Sequence, residues 1–160
     1  MKIDKRRRIE NKTNYRKRLV LLKGRSPRLV IRKTNRYMIL QIIESQNAQD
    51  KVMFSTSTKE LLKLGWPKEN QGSLKSLPAS YLGGYLIGKK AKGIKGRIIL
   101  DTGLIPSTAG SKIYAAVKGV ADSGVEINFD KKVIPSEERI SGANTKVDKK
   151  IFNKIKETIK

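Results

Sequence analysis

The sequence predicts an α/β fold: a mixed, partly parallel five-stranded sheet flanked by helices, in the order βββαβαβ, with basic N- and C-terminal extensions. Apolar residues cluster between positions 29 and 129 of the 160-residue chain, so the core is central and both ends are polar. Within that stretch, short runs rich in β-branched residues alternate with segments of helical period. The later strands are separated by helices long enough to cross over, which makes part of the sheet parallel. Three regions follow: a basic arm and short helix over 1–26, an α/β domain over 27–144, and a basic helix over 145–160.

The elements come in the following order. Met1 to Lys12 has no hydrophobic period and reads as disordered until bound. Asn14 is a helix N-cap; Tyr15, Leu19 and Leu22 recur at helical spacing up to Lys23, and Gly24 closes the helix. Leu29–Arg32 and Tyr37–Glu44 are a strand pair joined at Thr34-Asn-Arg36, where Asn35 suits positive φ. The apolar pairs Ile39–Leu40 and Ile42–Ile43 imply burial on both faces. Val52–Ser55 is a third strand. Ser57-Thr-Lys-Glu60 is a capping box before a short helix carrying Leu61, Leu62 and Leu64, ended by Gly65. Trp66–Leu77 is a polar loop.

Pro78 opens a longer helix, stopped by Gly93, with a stripe of Leu82, Tyr85, Leu86 and Ile87. Gly83, Gly84 and Gly88 each weaken it by roughly 1 kcal/mol relative to Ala, which points to close backbone packing. Arg97–Leu100 is a fourth strand ending at Asp101, and Thr102–Ser111 is a loop. Lys112–Asp122 is a helix ended by Gly124, Val125–Phe129 a fifth strand, and Pro135–Ile140 a helical turn. Asn144–Asp148 reads as a hinge. Lys149–Ile159 is a basic amphipathic helix with Ile151, Phe152, Ile155 and Ile159 on one face. That face either docks on the chain's own core or meets a partner.

Charge narrows the function. The net charge is +22, of which +13 lies in residues 1–36, where 15 Lys or Arg face only Asp4 and Glu10. Such charge opposes compaction unless a polyanion neutralises it. No apolar window is long enough to span a membrane, and no apolar h-region follows the basic N-terminus. A membrane surface is disfavoured too, because Lys2 to Lys12 offers only Ile3 and Ile9 as apolar anchors. Cys and His are both absent, which removes thiolate chemistry, the usual zinc sites and His-based acid–base catalysis. An intracellular protein without a cofactor is expected. The cations run from Lys5-Arg-Arg-Arg8 through Arg16, Arg18, Arg28, Arg32, Lys33 and Arg36, so they pass from the arm into ordered elements. Arg matches phosphate bidentately, and Tyr15 and Tyr37 can stack on bases. Contact with RNA or DNA is therefore expected.

Two places invite catalytic readings. Asp101 ends a buried strand, and the βββαβαβ order is that of ribonuclease H-like folds, some of which hold Mg²⁺ on such acids. A two-metal site needs converging carboxylates, and the first strand contains none. The alternative is that Asp101 caps the following loop through backbone N–H groups. Gly103–Lys112 (GLIPSTAGSK) lacks the spacing of a nucleotide-hydrolysing phosphate loop. It can still clamp one backbone phosphate through Ser111, Lys112 and the N–H groups of the helix start. An ordinary loop with Ser111 as N-cap is the competing reading.

Seven segments in order carry a resemblance: Thr13-Asn-Tyr-Arg-Lys-Arg-Leu19; Pro27-Arg-Leu-Val-Ile-Arg-Lys-Thr-Asn-Arg36; Pro78-Ala-Ser-Tyr-Leu82 with Gly88-Lys-Lys90; Leu100-Asp-Thr-Gly-Leu104; Gly110-Ser-Lys112; Ala116-Val-Lys-Gly119; and Pro135-Ser-Glu-Glu-Arg-Ile140. From about Asn11 to Asn144 the chain resembles the large-subunit ribosomal protein eighteen family, in its archaeal and eukaryotic branch. The resemblance implies a ribonuclease H-like sheet without a nuclease site and a structural role in the cytoplasmic ribosome. It also implies binding of 5S rRNA in the central protuberance, with large-subunit rRNA and neighbouring ribosomal proteins as further partners. It places the RNA contacts on the basic segment and first hairpin: Arg6, Arg7, Arg8, Asn11, Tyr15, Arg16, Arg18, Arg32, Lys33, Asn35 and Arg36. Lys149–Ile159 has no counterpart in the family pattern, and Tyr37 stands where the family often has His. Two other functions compete: a nuclease, disfavoured by the missing acids, and a general nucleic-acid-binding or chaperone protein without 5S selectivity.

Overall fold

A computed structural model describes residues 4–47, 49–94, 96–142 and 149–159. The helices are α1 (Arg6–Ile9), α2 (Tyr15–Lys23), α3 (Leu77–Lys90), α4 (Lys112–Asp122), α5 (Glu137–Ser141) and α6 (Lys149–Ile159). The strands are β1 (Arg28–Lys33), β2 (Met38–Gln46), β3 (Gln49–Ser57) and β4 (Ile99–Asp101). They form a mixed sheet of four strands in the order β3-β2-β1-β4; β1 runs parallel to β4, and the two hairpin pairings are antiparallel.

The five-stranded expectation is corrected here. Val125–Phe129 meets the sheet through a single parallel bridge, Ile98 to Ile127. Val125 and Ile127 are buried all the same. Their alternation serves side-chain burial, and β4 is too short to extend a ladder alongside them. The first hairpin also turns differently. Positive φ occurs at Asn11, Arg25 and Asn47 but not at Asn35. The Thr34 hydroxyl closes that turn instead, donating to the Tyr37 carbonyl at 2.7 Å and accepting from the Tyr37 N–H at 3.0 Å. The end of α2 is corrected in the same way: Gly24 is right-handed, and Arg25 takes the left-handed position at φ 49°. The arm expected to be disordered contains the single turn α1. The expected hinge, Asn144–Asp148, lies outside the described residues.

Two apolar clusters flank α3. The first lies between it, α4 and one face of the sheet, and includes Leu29, Ile31, Met38, Leu40, Ile87, Val117 and Val120. The second lies on the far side, with Leu61, Trp66, Tyr81, Leu82, Tyr85 and Ile140. The capping box forms as expected, with Glu60 accepting from the Ser57 N–H at 3.0 Å, and it opens a 3-10 helix over Thr58–Leu64. The helical glycines explain how α3 and α4 fit. A Cβ at Gly84 would collide with the Ala116 carbonyl, one at Gly88 with Ser123, and one at Gly119 with the Tyr81 carbonyl. Each of these glycines lies against the other helix, so α3 and α4 cross in backbone contact.

α6 completes the second cluster. Phe152, Ile155 and Ile159 are buried, and the Phe152 ring packs on Tyr81 at 5.5 Å between centroids. The Lys156 ammonium sits over the same Tyr81 ring at 5.2 Å. Of the two readings of this helix, docking on the chain's own core describes its apolar face.

The other face of the sheet is held by a buried cation. Arg28 is 2% exposed. It donates to Asp101 at 2.7 Å, to Asp50 at 2.7 Å and to the Ser45 hydroxyl at 2.9 Å. Asp50 also accepts from Arg18 of α2 at 3.0 Å. Burial pulls the Asp50 carboxyl up, but the Ser45 hydroxyl and the Arg18 and Arg28 guanidiniums outweigh it and hold the group below its ordinary value of 3.8.

This packing generates three predictions. Phe152→Ala should cost about 3 kcal/mol in urea unfolding, the usual loss for a buried aromatic; an unchanged midpoint would mean that α6 is detached in solution. Asp101→Asn leaves a buried guanidinium half compensated and should cost about 3 kcal/mol. The depressed Asp50 carboxyl contributes stability that is complete above pH 3.8 and is lost as pH falls through its lowered value. Asp50→Asn should therefore flatten the acid limb of the stability curve, and an unaltered acid limb would contradict the pairing.

Candidate nucleic-acid interface

α2 lies across the sheet face that α3 and α4 leave open. Its start is fixed by Asn14, whose side-chain oxygen accepts from the Lys17 N–H at 3.0 Å. The face carrying Asn14, Lys17, Arg18 and Leu21 turns toward the sheet. Leu19 and Val20 point outward, 56% and 65% exposed, so the expected stripe through Leu19 is rotated by one position. Sequence spacing alone could not choose between them, because residues 19 to 22 are all apolar.

Between α2, the outer face of β1 and the loop after β4 lies a groove of about 790 Å³. Its walls carry Arg7, Lys12, Lys17, Arg18, Arg32 and Lys33, and its two acids are Asp50 and Asp101. Both acids are engaged by Arg28, and the second Asp101 oxygen accepts from the Gly103 N–H at 2.9 Å. The reading of Asp101 as a loop cap therefore describes its geometry. The Lys17 ammonium reaches the same loop, donating to the Thr102 hydroxyl at 3.2 Å and the Gly103 carbonyl at 3.1 Å. The arm folds back over the groove. Arg7 donates to the Thr13 hydroxyl at 2.9 Å, and its carbonyl accepts from the Lys12 and Thr13 N–H groups.

The residues expected to touch RNA divide into two sets. Arg7, Tyr15, Arg18, Arg32 and Lys33 share the groove. Arg6 and Arg8 face outward on α1 in exposed pairs, with Glu10 at 3.5 Å and Asp4 at 3.3 Å. Pairs of this kind contribute little and exchange readily for phosphate. Asn11 occupies the left-handed turn after α1 at φ 50°. Arg16 is exposed, and Asn35 and Arg36 stand exposed in the hairpin turn; none of the three lines the groove. Ser111 and Lys112 lie apart, at the start of α4. Tyr15 already carries the Lys5 ammonium 4.7 Å from its ring centre, and Tyr37 that of Lys59 at 4.2 Å, so one face of each ring is taken.

Arg28, part of the basic run in the sequence, is withdrawn from the surface altogether. Lys12 and Lys17 are the groove cations missing from the expected set. For Lys17, the spacing of three from Asn14 and four from Leu21 was the available signal, since those residues share a helix face.

Comparison with known proteins places the chain among its relatives. Residues 1–96 match the family described as ribosomal large subunit proteins 60S L5 and 50S L18. The chain is 48% identical over 143 residues to the large ribosomal subunit protein uL18 of Korarchaeum cryptofilum, covering 88% of this chain and 71% of that protein. It is 43% identical over 144 residues to the protein of the same name from Caldivirga maquilingensis, covering 88% of this chain and 67% of that one. With that from Methanoregula boonei the identity is 39% over 138 residues, covering 86% and 77%. A basic groove whose acids are consumed internally, on a chain related to these proteins over most of its length, leads to one conclusion: the chain belongs to the L18 family of large-subunit ribosomal proteins.

Proposed function

We propose that this protein binds 5S rRNA and helps to attach it in the central protuberance of the large subunit, with large-subunit rRNA and neighbouring ribosomal proteins as its other partners. Family membership makes the chain a structural constituent of the cytoplasmic large ribosomal subunit and not an enzyme. No helix among the described residues is long and apolar enough to cross a membrane.

The observation that carries the proposal is electrostatic. Arg28 and Arg18 together balance the groove's two carboxylates, which leaves Arg7, Lys17, Arg32 and Lys33 without a carboxylate partner among the described residues. Arg32 and Lys33 are exposed and form no ion pair among the described residues. A concave surface with cations on several walls fits a phosphate backbone, and the arm can close over it. The strand order β3-β2-β1-β4, with the Ile98–Ile127 bridge beside β4, supports reading the fold as ribonuclease H-like. Selectivity for 5S rRNA is supported by the seven family segments.

Deleting residues 1–12 removes Lys2, Lys5, Arg6, Arg7, Arg8 and Lys12 and should weaken binding to 5S rRNA without unfolding the core. Each lost phosphate contact should reduce the log–log salt slope by about 0.7–0.9. An unchanged slope would make the arm a bystander. Competition between 5S rRNA and duplex DNA of equal length tests the alternative, a general nucleic-acid binder or chaperone. The proposal expects clear preference for 5S rRNA, and equal competition would favour the alternative.

A further inference from the structure

α6 is a basic element that the groove leaves unused. Its apolar face closes the second cluster, on the side of α3 away from the sheet. Its outer face is therefore separated from the groove by α3 and by the sheet itself. Lys149, Lys150 and Lys154 are exposed around that outer face. At its edge the Lys156 ammonium lies over Tyr81 at 5.2 Å and over Tyr85 at 5.9 Å. Lys89, in the last turn of α3, lies over the same Tyr85 ring at 5.1 Å. The 3-10 helix over Thr58–Leu64 packs against α6 and adds Lys59 and Lys63, both exposed.

Three properties decide what this surface takes. Its charge is not cancelled: none of these lysines pairs with a carboxylate among the described residues. Two acids of the neighbouring helices are committed elsewhere, Asp122 to Lys118 at 2.8 Å and Glu60 to Lys90 at 2.7 Å. Glu157 of α6 and Glu137 and Glu138 of α5 remain, so cations stay in excess.

The ring contacts also hold Lys89 and Lys156 in place without neutralising them. A tyrosine ring attracts an ammonium through its quadrupole and carries no net charge. The cation stays available, and less side-chain freedom is lost when an anion arrives. Finally, the surface lacks apolar anchors. The large hydrophobic residues exposed among the described residues are Ile9, Leu19, Val20, Val52, Met53 and Leu104, and none lies on α3, α6 or the 3-10 helix. A protein partner needs such anchors at the centre of its interface, whereas a phosphate backbone needs only cations. Every cation here is lysine, and the groove by contrast carries arginine on its walls. Arginine matches phosphate in a fixed bidentate fork; an ammonium acts as a point charge with little geometric demand.

We propose that Lys89, Lys149, Lys150, Lys154 and Lys156 form a second RNA-binding surface, which takes the backbone of a helical RNA segment without regard to its sequence while the groove holds 5S rRNA. The protein thus joins two RNA segments across its own thickness. The proposal rests on the RNA-binding reading above and deepens it, because it gives a segment of large-subunit rRNA a place on the chain.

The test uses the full chain bound to 5S rRNA, so that the groove is filled, with two short RNA duplexes of unrelated sequence as probes. The triple variant Lys149→Gln/Lys150→Gln/Lys154→Gln changes exposed side chains only, and its melting temperature should match that of the wild type. The wild-type complex should bind both duplexes equally well. In the variant complex the log–log salt slope for duplex binding should fall by roughly 2.1–2.7, three contacts' worth. The slope for 5S rRNA itself should not change. No duplex binding by the wild-type complex, or an unchanged duplex slope in the variant, would overturn the second surface. If the variant then also proved scarce in assembled large subunits, the face would belong to a protein neighbour instead. An equal loss of slope for 5S rRNA would overturn the division into two surfaces, and a preference for one duplex would overturn binding without regard to sequence. If the wild type failed to bind 5S rRNA, the preceding proposal would fall, and the duplex titration repeated on the free chain would still decide whether α6 holds RNA.

Discussion

One buried guanidinium sets the terms for the rest of the molecule. Arg28 of β1 reaches Ser45 of β2, Asp50 of β3 and Asp101 of β4, and through Asp50 it meets Arg18 of α2. A single side chain therefore ties all four strands to the helix that covers them. Burying that charge costs several kcal/mol unless partners satisfy it, so the two carboxylates are committed to it. The commitment has a functional side. Asp101 sits at the end of a strand where a nuclease would keep an acid for metal, but one of its oxygens goes to Arg28 and the other to the Gly103 backbone. Arg18 and Arg28 balance the two acids, and the remaining groove cations Arg7, Lys17, Arg32 and Lys33 keep no carboxylate partner among the described residues.

A second constraint acts on the opposite side of the sheet. The glycines at 84, 88 and 119 let α3 and α4 approach to backbone contact, a geometry that any Cβ would obstruct. α6 divides its roles between two faces. Its apolar face closes the second cluster, while Lys149, Lys150 and Lys154 remain outside it.

Much of this was legible in the chain. The limits of α2, α4 and α6 follow from Asn14, Gly124 and the spacing of Phe152, Ile155 and Ile159, because capping and helical period act locally. The capping box at Ser57 and Glu60 is of the same kind. The misreadings arise where tertiary context decides. Val125–Phe129 has strand alternation, yet its backbone meets the sheet at one bridge, to Ile98 just before the three-residue β4. Leu19 lies in an apolar run whose buried side depends on how α2 meets the sheet. Arg28 is one cation among many in the sequence; only the fold reveals that its two acids come from residues 50 and 101. The groove was legible as charge, through Arg7, Arg18, Arg32 and Lys33, but not as a shape. Arg16, Asn35 and Arg36 share that charge and lie elsewhere.

The account reduces to a claim about one ligand: a basic groove on this scaffold holds 5S rRNA in the ribosome. The direct measurement is to isolate the native protein at moderate salt and identify the nucleic acid that accompanies it. The account predicts 5S rRNA in equimolar amount, released as salt is raised. A heterogeneous mixture of RNA and DNA, in proportion to abundance, would contradict it and leave charge alone as the basis of binding.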